Sequence, residues 1–281
     1  MATSGLQSSS SEFSGFAELE KVGWTSEQGV AGYVELFSSA SDLAIPSLVG
    51  KLEPPSRVLD LCCGQGNVTE ALCKAGHTVV GVDFSPAMLA RAKLRTPEAK
   101  FVEANAQALP FDEKTFDAVV CNFGISHIPD QQRALCEVAR VLKPAGRLAM
   151  TSWCGPASSV AFQIFYSSVQ RNGDPSVEMP EGPNFHFFDD KAASAALLSN
   201  ANMMLTGHEQ IDCYWDLDRP DMLADIFERG APRGGTLMRR QPEDARRAIR
   251  NAVADQVKER CARAESFRVP VPATIVTATG S

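Results

Sequence analysis

The chain has 281 residues and a formal net charge of -7, with 44% hydrophobic and 22% charged residues, and its isoelectric point is about 5.2. These values fit a globular protein with a substantial core, either one large α/β domain or two small ones, and they argue against a nucleic-acid binder, which needs a basic face. No apolar run reaches the length of a membrane span and the N-terminus has no basic, apolar export signal, so a cytoplasmic setting is expected. The eight cysteines form no C-x-x-C pair, so no metal site is expected. Cys62, Cys63, Cys73, Cys121 and Cys136 fall in predicted core segments, as small hydrophobes in a reducing environment.

Residues 1–12 are polar and serine-rich and are expected to form a disordered tail; residues 13–281 are expected to form one domain. A helix is predicted over about 25–43, with Val30, Val34 and Phe37 on one face. From 57 to 153, short apolar strands alternate with helices. The strands are 58–61, 78–82, 100–104, 116–121 and 147–152. Between them, a helix over 67–75 ends at Gly76, Ser85 and Pro86 open a helix over 87–94, and Asp130 caps a helix running to Leu142 with Leu135 and Val138 buried. Continuous apolar strands alternating with helices imply a parallel sheet covered on both faces.

Beyond this core, helices are predicted over 157–170, 189–200 and 242–262. The last of these carries Ala245, Ile249, Val253 and Val257 on one side. A strand-like segment covers 203–216 and a final strand 267–277. Pro270 and Pro272 lie one pleat apart in that final segment, which suits a strand end or edge.

The stretch VLDLCCGQG, residues 58–66, takes a buried strand into a glycine turn that opens a helix. Gly64 and Gly66 let the backbone approach a ligand, and the helix start offers free N–H groups to a phosphate or an amino-acid carboxylate. Asp83 ends the second strand about 23 residues after Asp60, where dinucleotide folds place a ribose-binding acid. This pattern alone does not separate a nicotinamide dinucleotide from S-adenosylmethionine.

The order of the further motifs does. With VLDLCCGQG come VVGVDFSPAMLARA (79–92), EANAQALPF (103–111), FDAVVCNFGISHIPD (116–130) and EVARVLKPAGRLAMTSW (137–153). Over 57–153 the chain closely resembles the class I S-adenosylmethionine-dependent methyltransferases, nearest the type 11 small-molecule branch that includes the ubiquinone and menaquinone enzymes. The resemblance implies a Rossmann-like, seven-stranded, mostly parallel sheet with helices on both faces and an antiparallel last strand. It also implies S-adenosyl-L-methionine as cofactor. Asp60 and the Gly64–Gly66 turn would hold the methionine part and Asp83 the ribose. Phe84 or Met88 would pack on the adenine, Asn105 and Ala106 would meet its edge, and Asn122 and Phe123 would flank the sulfonium. Trp24 and Tyr33 are lid candidates on the N-terminal helix. The chain departs from the pattern at Cys62, which replaces the first glycine, at Asn105, which replaces a frequent aspartate, and at Ala145 in the Lys-Pro-Gly-Gly turn.

Methyl transfer needs proximity and sometimes a base, so the acceptor half must be read outside the cofactor motifs, in the region 154–265. His127 follows the fourth strand and is a candidate base, because imidazole titrates near neutrality; the alternative is a structural role in a helix-entry turn. His186, between Phe185 and Phe187, suits an apolar acceptor pocket or a packed loop in which it caps Asp189 or Asp190. Tyr214 and Trp215 are read as ending the sixth strand, and Trp153 and Cys154 as ending the fifth; each is a candidate pocket wall or plain core. His77 is expected to face solvent, and His208 to be structural. The basic segment 219–262 reads as a solvated helical face, or as a helical cap with Arg233 or Arg239 on an anionic group and a mobile GAPRGG turn over 230–235. Asp189 and Asp190 are expected to cap a helix rather than bind a metal.

The leading expectation is methylation of a small, largely apolar acceptor at O, N or C. The alternatives are a methyltransferase fold that uses bound S-adenosylmethionine for cyclisation or rearrangement, and a non-catalytic partner of another enzyme.

Overall fold

Strands with inward-facing residues on both sides build the centre of the molecule, as the continuous apolar runs require. The computed structural model describes residues 13–280, so the tail predicted over 1–12 lies outside the described residues. Strands β1 (Arg57–Leu61), β2 (Thr78–Asp83), β3 (Lys100–Glu103), β4 (Phe116–Asn122) and β5 (Leu142–Trp153) are joined by parallel pairings. They belong to a seven-stranded sheet in the order β3-β2-β1-β4-β5-β9-β6. Strand β9 (Ala273–Gly280) runs antiparallel to both β5 and β6 (Met203–Ile211). Strand order reverses between β1 and β4, and ligands of open α/β sheets bind outside the C-terminal strand ends at such a reversal.

The helices between these strands start where the sequence supplies caps. Ser85 Oγ accepts from Met88 N at 3.2 Å and Pro86 occupies the first helical position. Asp130 accepts from Arg133 N at 2.9 Å, and Asp190 accepts from Ala193 N at 2.9 Å. These side chains satisfy N–H groups that the first turn leaves free. On the helix Gln131–Val141, Leu135 and Val138 face the core, while Leu142 already belongs to β5. Cys136, expected in the core, lies between those inward positions and is exposed.

Several expectations are corrected. The N-terminal helix starts earlier than predicted and is broken: Ser14–Thr25 and Glu27–Gly32 flank Ser26, which accepts from Gly29 N, and a π-helical turn, Tyr33–Phe37, leads into Ser38–Asp42. The segment 203–216 is two strands, β6 and β7 (Tyr214–Leu217), and the segment 267–277 is also two, β8 (Phe267–Pro270) and β9. Both breaks have one cause. At Cys213 and Val271 the chain leaves the main sheet, with Val271 N donating to the Cys213 carbonyl, and β7 pairs with β8 in a separate two-stranded sheet. His77, expected in solvent, is 7% exposed; its Nδ1 has no partner among the described residues, and burial lowers its pKa.

The insertion between β7 and β8 is three helices, Met222–Gly230, Pro232–Arg240 and Glu243–Cys261. Ile249, Val253 and Val257 are fully buried on its long helix. Three of its arginines are paired rather than merely solvated: Arg250 bonds Glu228 at 2.7 Å and Asp225 at 2.6 Å, Arg246 pairs with Glu228, and Arg229 reaches Glu35 of the N-terminal arm at 3.0 Å. The GAPRGG segment is no mobile turn, because all but Ala231 is helical and a Cβ at Gly235 would collide with the Glu228 carbonyl. The arm and the insertion interlock in the same way: a Cβ at Gly23 would strike Pro232, and one at Gly32 would strike the carbonyl of Arg229.

Phe37 is the keystone between arm, insertion and sheet. Its ring meets Trp153 at 5.9 Å, Trp215 at 5.1 Å and stacks on Tyr33 at 5.7 Å, and its carbonyl accepts from Trp215 Nε1 at 3.2 Å. Phe37→Ala should destabilise the protein by about 3–5 kcal/mol, read as a lower urea midpoint with an unchanged slope.

Candidate active site

The β1–β4 reversal places two turns side by side. After β1 the chain passes through Cys62 (φ 57°), Gly64 (φ 52°) and Gly66 (φ 85°), all in the left-handed region. A cysteine there bears a strain of about 1–2 kcal/mol, which is why a glycine is the natural residue at position 62. The Cys62 side chain fits because a glycine, Gly124, faces it across the reversal, where any Cβ would collide with it. After β4, Phe123 also takes φ 59° and its ring stacks on Trp153 at 3.8 Å and 18°.

Between these turns lies a cavity. Cys62, Gly64, Asp83, Phe84, Met88, Asn105 and Ala106 line it, as do Asn122 and Phe123, and Trp24 and Tyr33 close it from the N-terminal arm. The Asp83 carboxylate accepts from Gly64 N and from Ser85 N, each at 2.9 Å. Burial raises its pKa, while these backbone donors oppose the shift. Asn105 Oδ1 accepts from Gln107 N at 2.9 Å, so its side-chain carbonyl closes a turn. Asn122 donates to the Ser41 carbonyl at 3.2 Å and accepts from Thr151 Oγ1 at 2.7 Å, tying arm to sheet.

Two expected contacts are absent from the cavity wall. Gly66 instead starts the helix Asn67–Lys74, and a Cβ there would meet Ala92 at 3.1 Å. Asp60 is 1% exposed beneath the cavity floor. Thr69 Oγ1 donates to its Oδ2 at 2.6 Å, while its Oδ1 is buried with no partner among the described residues. Desolvation, helped by the nearby Asp83 charge, raises its pKa to about 7.

A second cavity adjoins the first, and the two share Phe37, His127, Phe185 and Ala231 as lining residues. Its remaining wall includes Phe162, Phe165, Tyr166, Phe227 and Leu237, with Glu20 and Arg233 as charged members. Arg233 donates to the Pro180 carbonyl at 2.8 Å, and Arg239 is exposed on the surface.

His127 stands at the junction of the two cavities. Its Nδ1 lies 2.8 Å from Glu20 Oε2, the same oxygen that accepts from Trp24 Nε1 at 2.8 Å. Its ring meets Trp24 edge-on at 5.0 Å and Phe185 at 5.2 Å. His186 is turned away from both cavities. Its Nδ1 contacts the Trp153 carbonyl at 3.1 Å and its Nε2 the Tyr166 hydroxyl at 3.2 Å, with Phe185 taking the cavity face. Tyr214 is remote as well: it sits on β7 beneath the Arg268 guanidinium at 4.0 Å, because the break after Ile211 carries it out of the main sheet. Trp215 and Cys154 are core, Asp189 accepts from Gly155 N and Thr274 Oγ1, and His208 Nε2 contacts the Phe188 carbonyl at 3.0 Å. Glu20 was missed, because helix prediction started only at Thr25. Its signal was the Glu20–Trp24 spacing of one helical turn.

Comparison with known proteins agrees with this geometry. Residues 59–150 match the family described as "Methyltransferase domain". A demethylmenaquinone methyltransferase of Renibacterium salmoninarum is 36% identical over 124 residues, covering 44% of this chain and 52% of that protein. The chain thus spans about half the length of this curated relative. Among solved structures, a Haemonchus contortus phosphoethanolamine N-methyltransferase superposes with a TM-score of 0.55 at 18% identity, covering 94% of this chain and 60% of that one. The 4+2 cyclase SpnF superposes with a TM-score of 0.56 at 17% identity, covering 94% and 96%. At these identities the superpositions speak for the fold alone. The glycine turn, the acid ending β2 and the strand order lie where residues 59–150 match the methyltransferase-domain family, to which this part of the chain is similar.

Proposed function

We propose that the protein transfers a methyl group from S-adenosylmethionine to a small, largely apolar acceptor. One observation carries this reading: the cavity behind the glycine turn and the aromatic cavity under the insertion share a wall at His127, Phe37, Phe185 and Ala231. Two ligands seated in them would meet end to end, as a displacement at carbon requires.

The residues present fit the sulfonium nucleoside. Gly64 faces the cavity, with nothing nearer than Met88 Sδ at 3.9 Å from where a Cβ would stand, so a ligand can lie against its backbone. Asp83 offers its remaining lone pairs to sugar hydroxyls, and Phe84, Met88 and Ile128 give apolar faces to a flat base. Asp60, with its orphaned oxygen under the floor, favours a cation above it through its field rather than by contact. The bound nucleoside supplies the activated methyl. The protein's part is to orient both partners and, with Trp24 and Tyr33 overhead, to keep water out. The aromatic wall supports an apolar, ring-bearing acceptor, in keeping with the name of the Renibacterium relative. The thiols support a reducing, cytoplasmic setting, since all eight cysteines are free.

Gly64→Arg and Asp83→Ala should each weaken S-adenosylmethionine binding at least about a hundredfold by calorimetry, with the far-ultraviolet dichroism retained. Asp60 gives a second test. Its folded pKa lies above the unfolded value, so its contribution to stability is full below about pH 4 and is lost as pH rises through about 7. A cation bound above it lowers that pKa. Binding near pH 6.5 should therefore release protons, seen as a dependence of the calorimetric heat on buffer ionisation enthalpy, and Asp60→Asn should abolish the release.

A further inference from the structure

We infer that Glu20 and His127 form a proton-accepting pair, and that the acceptor carries an ionisable ring hydroxyl which is methylated on oxygen. The inference rests on the methyl-transfer reading above and adds the acceptor class and the base. Glu20 is 4% exposed, yet it belongs to the arm rather than to any motif of the methyltransferase core. Its Oε2 accepts from the Trp24 indole at 2.8 Å and lies 2.8 Å from His127 Nδ1. An indole nitrogen only donates, so a carboxylate holding it also holds the imidazole proton on Nδ1. That fixes the tautomer and leaves Nε2, which has no protein hydrogen bond among the described residues, with its lone pair available.

The ring carrying that lone pair borders both cavities. A carboxylate behind a histidine orients the ring and stabilises the imidazolium formed when the far nitrogen takes a proton. An amine acceptor is disfavoured, because a buried carboxylate stabilises its protonated, non-nucleophilic form. A ring hydroxyl gains most, since its oxygen must shed a proton as it attacks. The chamber suits a flat ring: Phe162, Phe165, Phe185 and Phe227 wall it, with Leu237 beside them.

The step balances as follows. The hydroxyl oxygen bonds to the methyl carbon while that carbon's bond to sulfur breaks, the electron pair staying on sulfur. The O–H proton passes to Nε2 of His127, giving imidazolium against the Glu20 carboxylate, and water later removes it. The products are an aryl methyl ether and the demethylated nucleoside.

The test has two parts. In protein labelled with nitrogen-15 in its four histidines, without cofactor, the resonance removed by His127→Gln should report an Nδ1-protonated neutral ring, and Glu20→Gln should shift it. An Nε2-protonated ring, or no shift, overturns the pairing. In the second part, a graded series of phenols is assayed with wild type, H127Q and E20Q, nucleoside affinity being measured for each by calorimetry. For weakly acidic phenols both variants should lose about a hundredfold or more in turnover. For nitrophenols already ionised at the assay pH, the loss should shrink to a few-fold. A loss independent of phenol acidity overturns the base role. A wild type that binds the nucleoside but methylates no phenol overturns the acceptor class. A wild type that does not bind the nucleoside overturns the underlying methyl-transfer reading, and this inference with it.

Discussion

The Asp83 carboxylate is the constraint on which the site depends. Each of its oxygens accepts a backbone N–H, one from Gly64 in the turn after β1 and one from Ser85 after β2. It thereby ties together the two turns that frame the first cavity. Ser85 passes the constraint on, because its hydroxyl caps the next helix and also donates to the Trp24 carbonyl at 2.6 Å. One buried acid is therefore linked to the turn after β1, the start of a helix and the arm at Trp24. A charge held this way needs its backbone donors, since burial alone works against its ionised form.

From that clamp the site extends in one direction. The arm carries Trp24 and Tyr33 to the first cavity and Glu20 to the junction with the aromatic one. The core motifs alone thus make only one of the two cavities. The aromatic cavity is assembled from the arm, from residues between Phe162 and Phe185 after β5, and from the insertion between β7 and β8.

This division explains what could be read from the sequence. The core was legible because buried parallel strands are continuous apolar runs and because Ser85, Asp130 and the glycine turn have local, single-cause geometries. Eleven of the thirteen expected cofactor contacts line the cavity; Asp60 and Gly66 do not, because a strand and a helix start can be located by pattern while the direction of a side chain beneath a cavity floor cannot. Outside the core, positions depend on distant partners. Tyr214 looked like a strand end at the site, but the break at Cys213 depends on Val271, far along the chain. His77 looked like a surface residue after a helix cap, yet tertiary packing buries it. The spacing of Glu20 and Trp24 is local, but the contact of Glu20 with His127 spans 107 positions and follows only from the fold.

The glycine contacts between arm and insertion have a mechanical consequence. Gly23 seats against Pro232 and Gly32 against the Arg229 carbonyl with no room for even a methyl group, so the two pieces cannot slide past each other. At these two points the arm and the insertion hold one register, so the wall residues that both supply to the two cavities keep a fixed spacing.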